Sequence, residues 1–266
     1  MTMTDIDDHA VLASLGGLEP VDLDGLAAVD DLQTRYDRKY LLALSDVEAV
    51  VAEIRAGARV LTIDGTQTFR YESVYFDTHD LASYLGAARR RPRRFKVRTR
   101  TYLDSSTCML EVKTRDLRSR TVKHRCPYDI AHRTDLTEAG RQFVASIAQA
   151  EAAAHRLRPT LTTAYRRATV VLPGVAGAVA RVTIDVDLTW QRPDGRGARL
   201  DHLALIETKT PGRPCVVDRA LWRLGHRPVA VSKYATGLAA LRPELPANKW
   251  NRVLRDHFEW LPTRTV

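Results

Sequence analysis

Residues 95–113 decide the fold: Phe95-Lys96-Val97-Arg98-Thr99-Arg100 opens the stretch and Glu111-Val112-Lys113 closes it. Lys96, Arg98 and Arg100 sit on alternate positions with Val97 and Thr99 between them, and Glu111 and Lys113 flank Val112 in the same way. Successive strand residues point to opposite faces, so this spacing stacks three cations on one face. A cationic face backed by an apolar one is either a solvated sheet surface or a charged interior that holds something anionic.

The same grammar recurs far along the chain. Arg181, Thr183, Asp185 and Asp187 alternate with Val182, Ile184 and Val186, and Glu207 and Lys209 flank Thr208 after the apolar Leu203-Ala204-Leu205-Ile206. One such strand alone more often marks a solvated face. Three of them, two with Glu beside Lys, fit a closed antiparallel β-barrel with an ionic lumen, its outer face covered by helices and loops. The expected class is therefore α+β, one large domain of about nine strands with surrounding helices.

The chain has 266 residues, 44% of them hydrophobic, and a formal charge of +9. Residues 1–31 hold eight acids, Asp5, Asp7, Asp8, Glu19, Asp22, Asp24, Asp30 and Asp31, and no Lys or Arg; without those eight the remainder carries +17. Residues 1–31 are thus expected to be an acidic, disordered tail and residues 32–266 a strongly basic folded domain ending in helices. Such a domain attracts polyanions: nucleic acid, anionic lipid or phosphate compounds. Cys108, Cys126 and Cys215 are isolated, with no CxxC spacing, which argues against a disulfide framework and a zinc site. The N-terminus lacks the pattern of a signal peptide, and the longest apolar run, 169–180, is broken by Pro173, Gly174 and Gly177 and is too short to span a bilayer. The expected location is the cytoplasm.

Turn and cap signals place the elements. Ser45 with Glu48 reads as a capping box for a helix over 46–56 stopped by Gly57. Strands are expected over 68–77, 95–103, 107–114, 122–128, 161–172, 178–188 and 203–210, with a helical segment over 136–156. Residues 217–224, 232–241 and 248–258 read as three C-terminal helices, the first ended by Gly225. The run Arg89–Arg94 is a solvated loop or an electrostatic funnel beside the site.

No P-loop, dinucleotide GxGxxG, HExxH or GxSxG occurs, and the eight histidines are scattered. Chemistry must then run on Lys, Arg and carboxylates. That combination suits phosphoryl transfer, in which cations offset the charge on the transferred group and a carboxylate holds a divalent metal bridging its oxygens. The basic pattern has no aromatic interleaving and no recognition-helix or RNP motif, so nucleic acid is not the expected partner.

Several segments, in order, resemble the VTC domain of polyphosphate polymerases, a branch of the triphosphate tunnel metalloenzyme (CYTH-like) superfamily. They are Arg35-Tyr36-Asp37-Arg38-Lys39-Tyr40, Tyr75-Phe76-Asp77, Arg98-Thr99-Arg100, Glu111-Val112-Lys113, Val122-Lys123, Tyr165-Arg166-Arg167, Arg181 with Ile184-Asp185, Glu207-Thr208-Lys209 and Ser232-Lys233-Tyr234. The resemblance spans about residues 32 to 241 and implies a closed β-tunnel whose basic interior grips a triphosphate.

It also implies roles. Lys39, Arg98, Arg100 and Arg167 would act on the transferred phosphoryl group, and Lys113, Lys123, Arg181 and Lys233 would hold the nucleotide and growing chain. Lys209 would line the tunnel or pair with Glu207, the metal-binding acid; Glu111 and Asp185 are further metal candidates. Asp37 stands where relatives usually carry Glu, and Ala230 where some relatives carry a lysine. The implied activity is a Mn²⁺- or Mg²⁺-dependent transfer of the terminal phosphoryl group of ATP to phosphate or polyphosphate. A triphosphate hydrolase of the same fold and a non-catalytic polyphosphate-binding module are the alternatives. No membrane segment is expected in the chain itself, and a separate membrane partner that takes up product stays open.

Overall fold

The computed structural model describes residues 14–27, 36–117, 121–173, 179–258 and 260. In chain order its elements are β1 (Glu19–Val21), α1 (Leu23–Ala27), β2 (Tyr36–Ala43), α2 (Leu44–Ile54), β3 (Arg59–Leu61), β4 (Thr68–Asp77), α3 (Ala82–Ala88), β5 (Arg94–Tyr102), β6 (Thr107–Arg115) and β7 (Thr121–Tyr128). There follow α4 (Glu138–Ala145), β8 (Arg158–Pro173), β9 (Val179–Gln191), β10 (Gly197–Leu200), β11 (Leu203–Thr210), α5 (Val216–Arg223), α6 (Lys233–Leu241) and α7 (Asn251–His257). This is a sheet-rich α+β fold with mostly antiparallel pairing. Its contacts divide into two compact units. One holds residues up to Phe69 with Tyr165–Leu188 and Leu200–Val229; the other holds Arg70–Ala164, Thr189–Arg199 and the chain from Ala230 onward.

In the first unit β11 lies between β2 and β9, antiparallel to both. Alternation along these strands sends Tyr40, Leu42, Val182, Ile184, Val186, Ala204 and Ile206 into one core. Helix α2 covers that core with Val47, Val50, Val51 and Ile54, the three-and-four spacing of one helical face. Its start departs from the sequence expectation. Ala43, not Ser45, is the N-cap, because β2 runs straight into the helix and the Leu44 amide donates to the His202 carbonyl. A group that a capping side chain would satisfy is already bonded through tertiary structure. Gly57 does end this region, with φ 81.

The acidic segment is corrected in part. Residues 14–27 form a 3₁₀ turn, β1 and α1; β1 pairs in parallel with β3, and Leu15 and Leu18 are buried in the core beneath α2. Val21 and Leu26 are buried as well. Each such side chain gains roughly 1.5–3 kcal/mol from leaving water, enough to order a segment that its charge alone would leave in solvent. The rest of the expected tail, 1–13 and 28–31, lies outside the described residues.

The second unit is built on the meander β4-β5-β6-β7. Val74, Phe76, Val97, Leu110 and Val112 face a helical layer supplied by Val144, Ile147, Ala150, Ala153, Ala154 and Leu157. The single helix expected over 136–156 is instead two pieces, α4 and a 3₁₀ stretch at Glu151–Arg156. Thr137 caps α4 by accepting from the Gly140 amide at 3.1 Å. The buried positions after α4 recur every three residues, at 147, 150 and 153, a spacing that suits the tighter helix. Gly140 lets α4 approach β7: a Cβ there would lie 2.9 Å from the Tyr128 hydroxyl.

The closed barrel is not what these pairings draw. Among the described residues the strand order has two ends, β2 and β7, and neither unit's ladder returns on itself. β7 has the features of an edge, with Lys123, Arg125 and Pro127 on one side of an exposed strand. No helix among the described residues is long and apolar enough to cross a membrane.

Candidate functional site

In the second unit β5 presents Lys96, Arg98 and Arg100 on one face and buries Val97, Thr99 and Thr101 on the other. Antiparallel register places Tyr75, Arg98, Glu111 and Arg125 in one cross-strand row, and Lys96, Lys113 and Lys123 in the next. Arg98 donates from Nε (2.8 Å) and Nη2 (2.6 Å) to Glu111 Oε2, and from Nη1 to the Tyr75 hydroxyl at 3.1 Å. Arg100 Nε stands 3.9 Å from the same carboxylate oxygen, and Lys123 Nζ is 4.0 Å from Oε1. Burial by itself would raise the Glu111 carboxyl; Arg98, Arg100 and Lys123 more than reverse this and hold it at about 2. The Lys123 ammonium is pushed down by burial, with Glu111 opposing. Lys113 is exposed on this same face, one row from Glu111.

Lys233 opens α6, where Ser232 caps the helix by accepting from the Ala235 amide, and Lys96 Nζ lies 3.5 Å from the Ser232 hydroxyl. The next residue, Tyr234, stacks on Tyr75 at 5.1 Å and donates to the buried Asp77 carboxylate. Asp77 also accepts from the amides of Thr78, Ser83 and Tyr84. Burial raises its carboxyl, while these hydrogen bonds oppose the rise. One carboxylate thus ties the end of β4, the start of α3 and the first turn of α6 together. Trp190 fixes α6 from another side, donating to the Lys233 carbonyl at 2.7 Å; a Cβ on Gly237 would come within 2.0 Å of its ring. Sequence reasoning gave no role to Tyr75, Asp77 or Tyr234. Tyr75 was within reach of the alternation argument, since it shares the parity that β4 turns toward Arg98.

The first unit carries a second charged face. Lys39 on β2 donates to Glu207 Oε1 at 2.7 Å, directly across the ladder. Lys209, two positions along β11, lies opposite Asp37 on one side and Arg181 on the other. Burial would raise the Glu207 carboxyl; Lys39, Lys209 and then Arg167 overcome it and hold the group well below the ordinary carboxylate range. Arg167 grips Asp185 through Nε (2.5 Å) and Nη2 (2.8 Å), both groups buried, and lies 5.1 Å from the Tyr165 ring. Arg38 has the opposite parity from Lys39: it reaches Thr210 at 3.1 Å and Asp218 at 3.6 Å, beside the buried hydrogen bond from Tyr40 to Asp218.

The structure therefore gathers Arg98, Arg100, Glu111, Lys113 and Lys123 on one face and Lys39, Arg167, Arg181, Glu207 and Lys209 on another, with Lys233 at a helix start. Among the described residues, no three of His, Cys, Asp and Glu come together as a metal cage. Glu111 and Asp185 are each gripped by an arginine, whereas the hydrogen-bonding partner of Glu207 is one lysine. Glu207 is therefore the acid of this set that could be offered to a hard divalent cation.

A sequence profile of the VTC domain matches residues 34–242. No curated protein matches the chain. Solved structures that resemble it include a Hippeastrum protein with a provisional adenylyl cyclase name and a described dominant triphosphatase activity, at 15% identity and a TM-score of 0.45, covering 80% of this chain and 98% of that one. Others are a Vibrio parahaemolyticus protein with a provisional adenylate cyclase name (12% identity, 79% and 86% covered, TM-score 0.40) and the PH1819 protein of Pyrococcus horikoshii (10%, 75% and 93%, 0.41).

Proposed function

This chain belongs to the VTC domain family, and from that membership we propose that it is a metal-dependent polyphosphate polymerase, moving the terminal phosphoryl group of ATP to phosphate or to the end of a polyphosphate chain. The observation that carries the reading is that each basic face holds an ionised carboxylate among its cations, Glu111 under Arg98 and Glu207 under Lys39. A passive anion binder needs cations alone; a phosphoryl transferase also needs an acid for a metal.

In this proposal Lys39, Arg98, Arg100 and Arg167 offset the charge that develops on the transferred group, while Lys113, Lys123, Arg181, Lys209 and Lys233 hold the remaining phosphates. Glu207 would hold the divalent ion, Mn²⁺ or Mg²⁺, with Glu111 as a second candidate, and the chemistry supplied there would be neutralisation of phosphate charge. Tyr75 keeps Arg98 aimed by accepting from Nη1. No protein nucleophile is required. A cytoplasmic location remains part of this proposal. Incubating the purified chain with ATP and Mn²⁺ or Mg²⁺ and resolving products by size tests it. Chains that lengthen with time support the polymerase; orthophosphate as the sole product assigns a triphosphatase.

A further inference from the structure

The charged face of β5 and β6 continues past the row of Lys96 and Lys113. One row further, Arg94 lies opposite Arg115, like charge against like. Lys249 joins them: burial lowers its ammonium, and Arg94, Arg90 and Arg115 lower it further. Burial and Arg115 likewise depress the Arg94 guanidinium. Among the described residues no carboxylate stands within ion-pair distance of Arg90, Arg94, Arg115 or Lys249. The rest of the face is different, because Glu111 sits among Arg98, Arg100 and Lys123.

The backbone adds an independent sign. Helix α3 ends with the Arg91 amide bonded to the Gly86 carbonyl (2.9 Å) and the Arg90 amide to that of Ala87 (3.3 Å). This is the helix stop whose left-handed residue is ordinarily glycine. Here that residue is Arg90, at φ 53. An arginine stands here against its own backbone preference, and its charge adds to those of Arg94 and Arg115 around Lys249.

We propose that Arg90, Arg94, Arg115 and Lys249 form a docking surface for an extended inorganic polyanion, the linear polyphosphate chain, separate from the residues that hold a triphosphate. The identity of the polyanion rests on the polymerase reading above. Its extended form rests on length: from Arg94 to Arg100 the strand runs roughly 20 Å at about 3.3 Å per residue, and the arginine run 89–93 continues from its end. A single triphosphate covers part of that track, and a chain covers all of it. Single-stranded nucleic acid is disfavoured, since the arginine run has no aromatic residue to stack a base and Trp250 is 2% exposed.

The test uses the full chain carrying Arg90→Gly or the double change Arg94→Gln/Arg115→Gln, with calorimetric binding of long-chain polyphosphate and of tripolyphosphate at two salt concentrations. Both variants should lose about tenfold in long-chain affinity, with a shallower salt dependence, and keep their affinity for tripolyphosphate. Arg90→Gly should also melt at a higher temperature, which shows that lost binding is not lost folding. Unchanged long-chain affinity overturns the proposal. So does an equal loss for both ligands, which would merge the cluster with the triphosphate-holding face, or tighter cluster-dependent binding of single-stranded RNA. If the chain makes no polyphosphate yet shows cluster-dependent long-chain binding, the polymerase reading falls and the docking surface stands.

Discussion

Arg98 sets two guanidinium nitrogens on one oxygen of Glu111, at 2.6 and 2.8 Å, whereas Arg100, two residues along the same face, is 3.9 Å from that oxygen and its buried Nε has no hydrogen-bond partner. Alternation makes these arginines equivalent; register does not. Arg98→Ala leaves a carboxylate that is 3% exposed without its main partner, at a cost of about 3–5 kcal/mol. Arg100→Ala should stay within about 1 kcal/mol of wild type. Urea unfolding of both variants, and of Arg98→Ala combined with Glu111→Ala, checks this: the double variant should recover part of the single loss. Equal midpoints for the two single variants would contradict it.

The pH dependence follows from the same carboxylates. Glu111 titrates at about 2 folded against an ordinary value of 4.5, and Glu207 is also held well below that value. A depressed folded pKa means that the unfolded chain binds protons first as pH falls. The stabilisation is therefore complete above the ordinary carboxylate range and declines as pH drops from 4.5 toward 2. Denaturation midpoints measured across that window should fall steadily, and Glu111→Gln should flatten part of the slope. An identical slope in the variant would show that the Arg98 pairing is not its source.

The charged faces were readable because a strand's two-residue period is local: Lys96, Arg98 and Arg100, and likewise Glu207 and Lys209, announce a face without knowledge of any partner. Partners are another matter. That Glu207 meets Lys39 rather than Lys209 depends on how β2 and β11 register across 168 residues of chain, and Asp77 meets Tyr234 across 157. Tertiary bonding also overrode a good local signal at Ser45, where the His202 carbonyl takes the amide at the helix start. Strand patterns report faces but not edges, so nothing in the alternation of β7 could say whether a neighbour closes onto it.

Charge dominated the reading of the N-terminal segment and concealed four apolar anchors. Leu15 is fully buried, and Leu18, Val21 and Leu26 are at most 6% exposed. Leu15→Ala should therefore cost about 2–5 kcal/mol, and removal of residues 1–27 should lower the melting temperature rather than leave it unchanged. Thermal melts of the two variants decide this. A truncated chain that melts with the wild type would show that β1 and its pairing with β3 add nothing to stability.

In the proposed reading, Glu207 is the residue that would separate an enzyme from a binder. Its carboxylate is held 2.7 Å from Lys39 Nζ, so the chain already supplies a cation, and a divalent ion must share or displace that contact. Glu207→Gln keeps the shape and a hydrogen-bond acceptor for Lys39 while removing the charge. If the carboxylate is the metal ligand, the variant should lose turnover by at least about a hundredfold, yet retain calorimetric binding of tripolyphosphate, because the arginine and lysine faces are untouched. Its Lys39 contact should preserve most of the stability, with a shift in melting temperature smaller than that of Lys39→Ala, which leaves the carboxylate without its hydrogen-bonded cation. Turnover that persists in Glu207→Gln with an unchanged metal requirement would instead make the carboxylate a structural partner of Lys39, and the metal would have to be carried elsewhere.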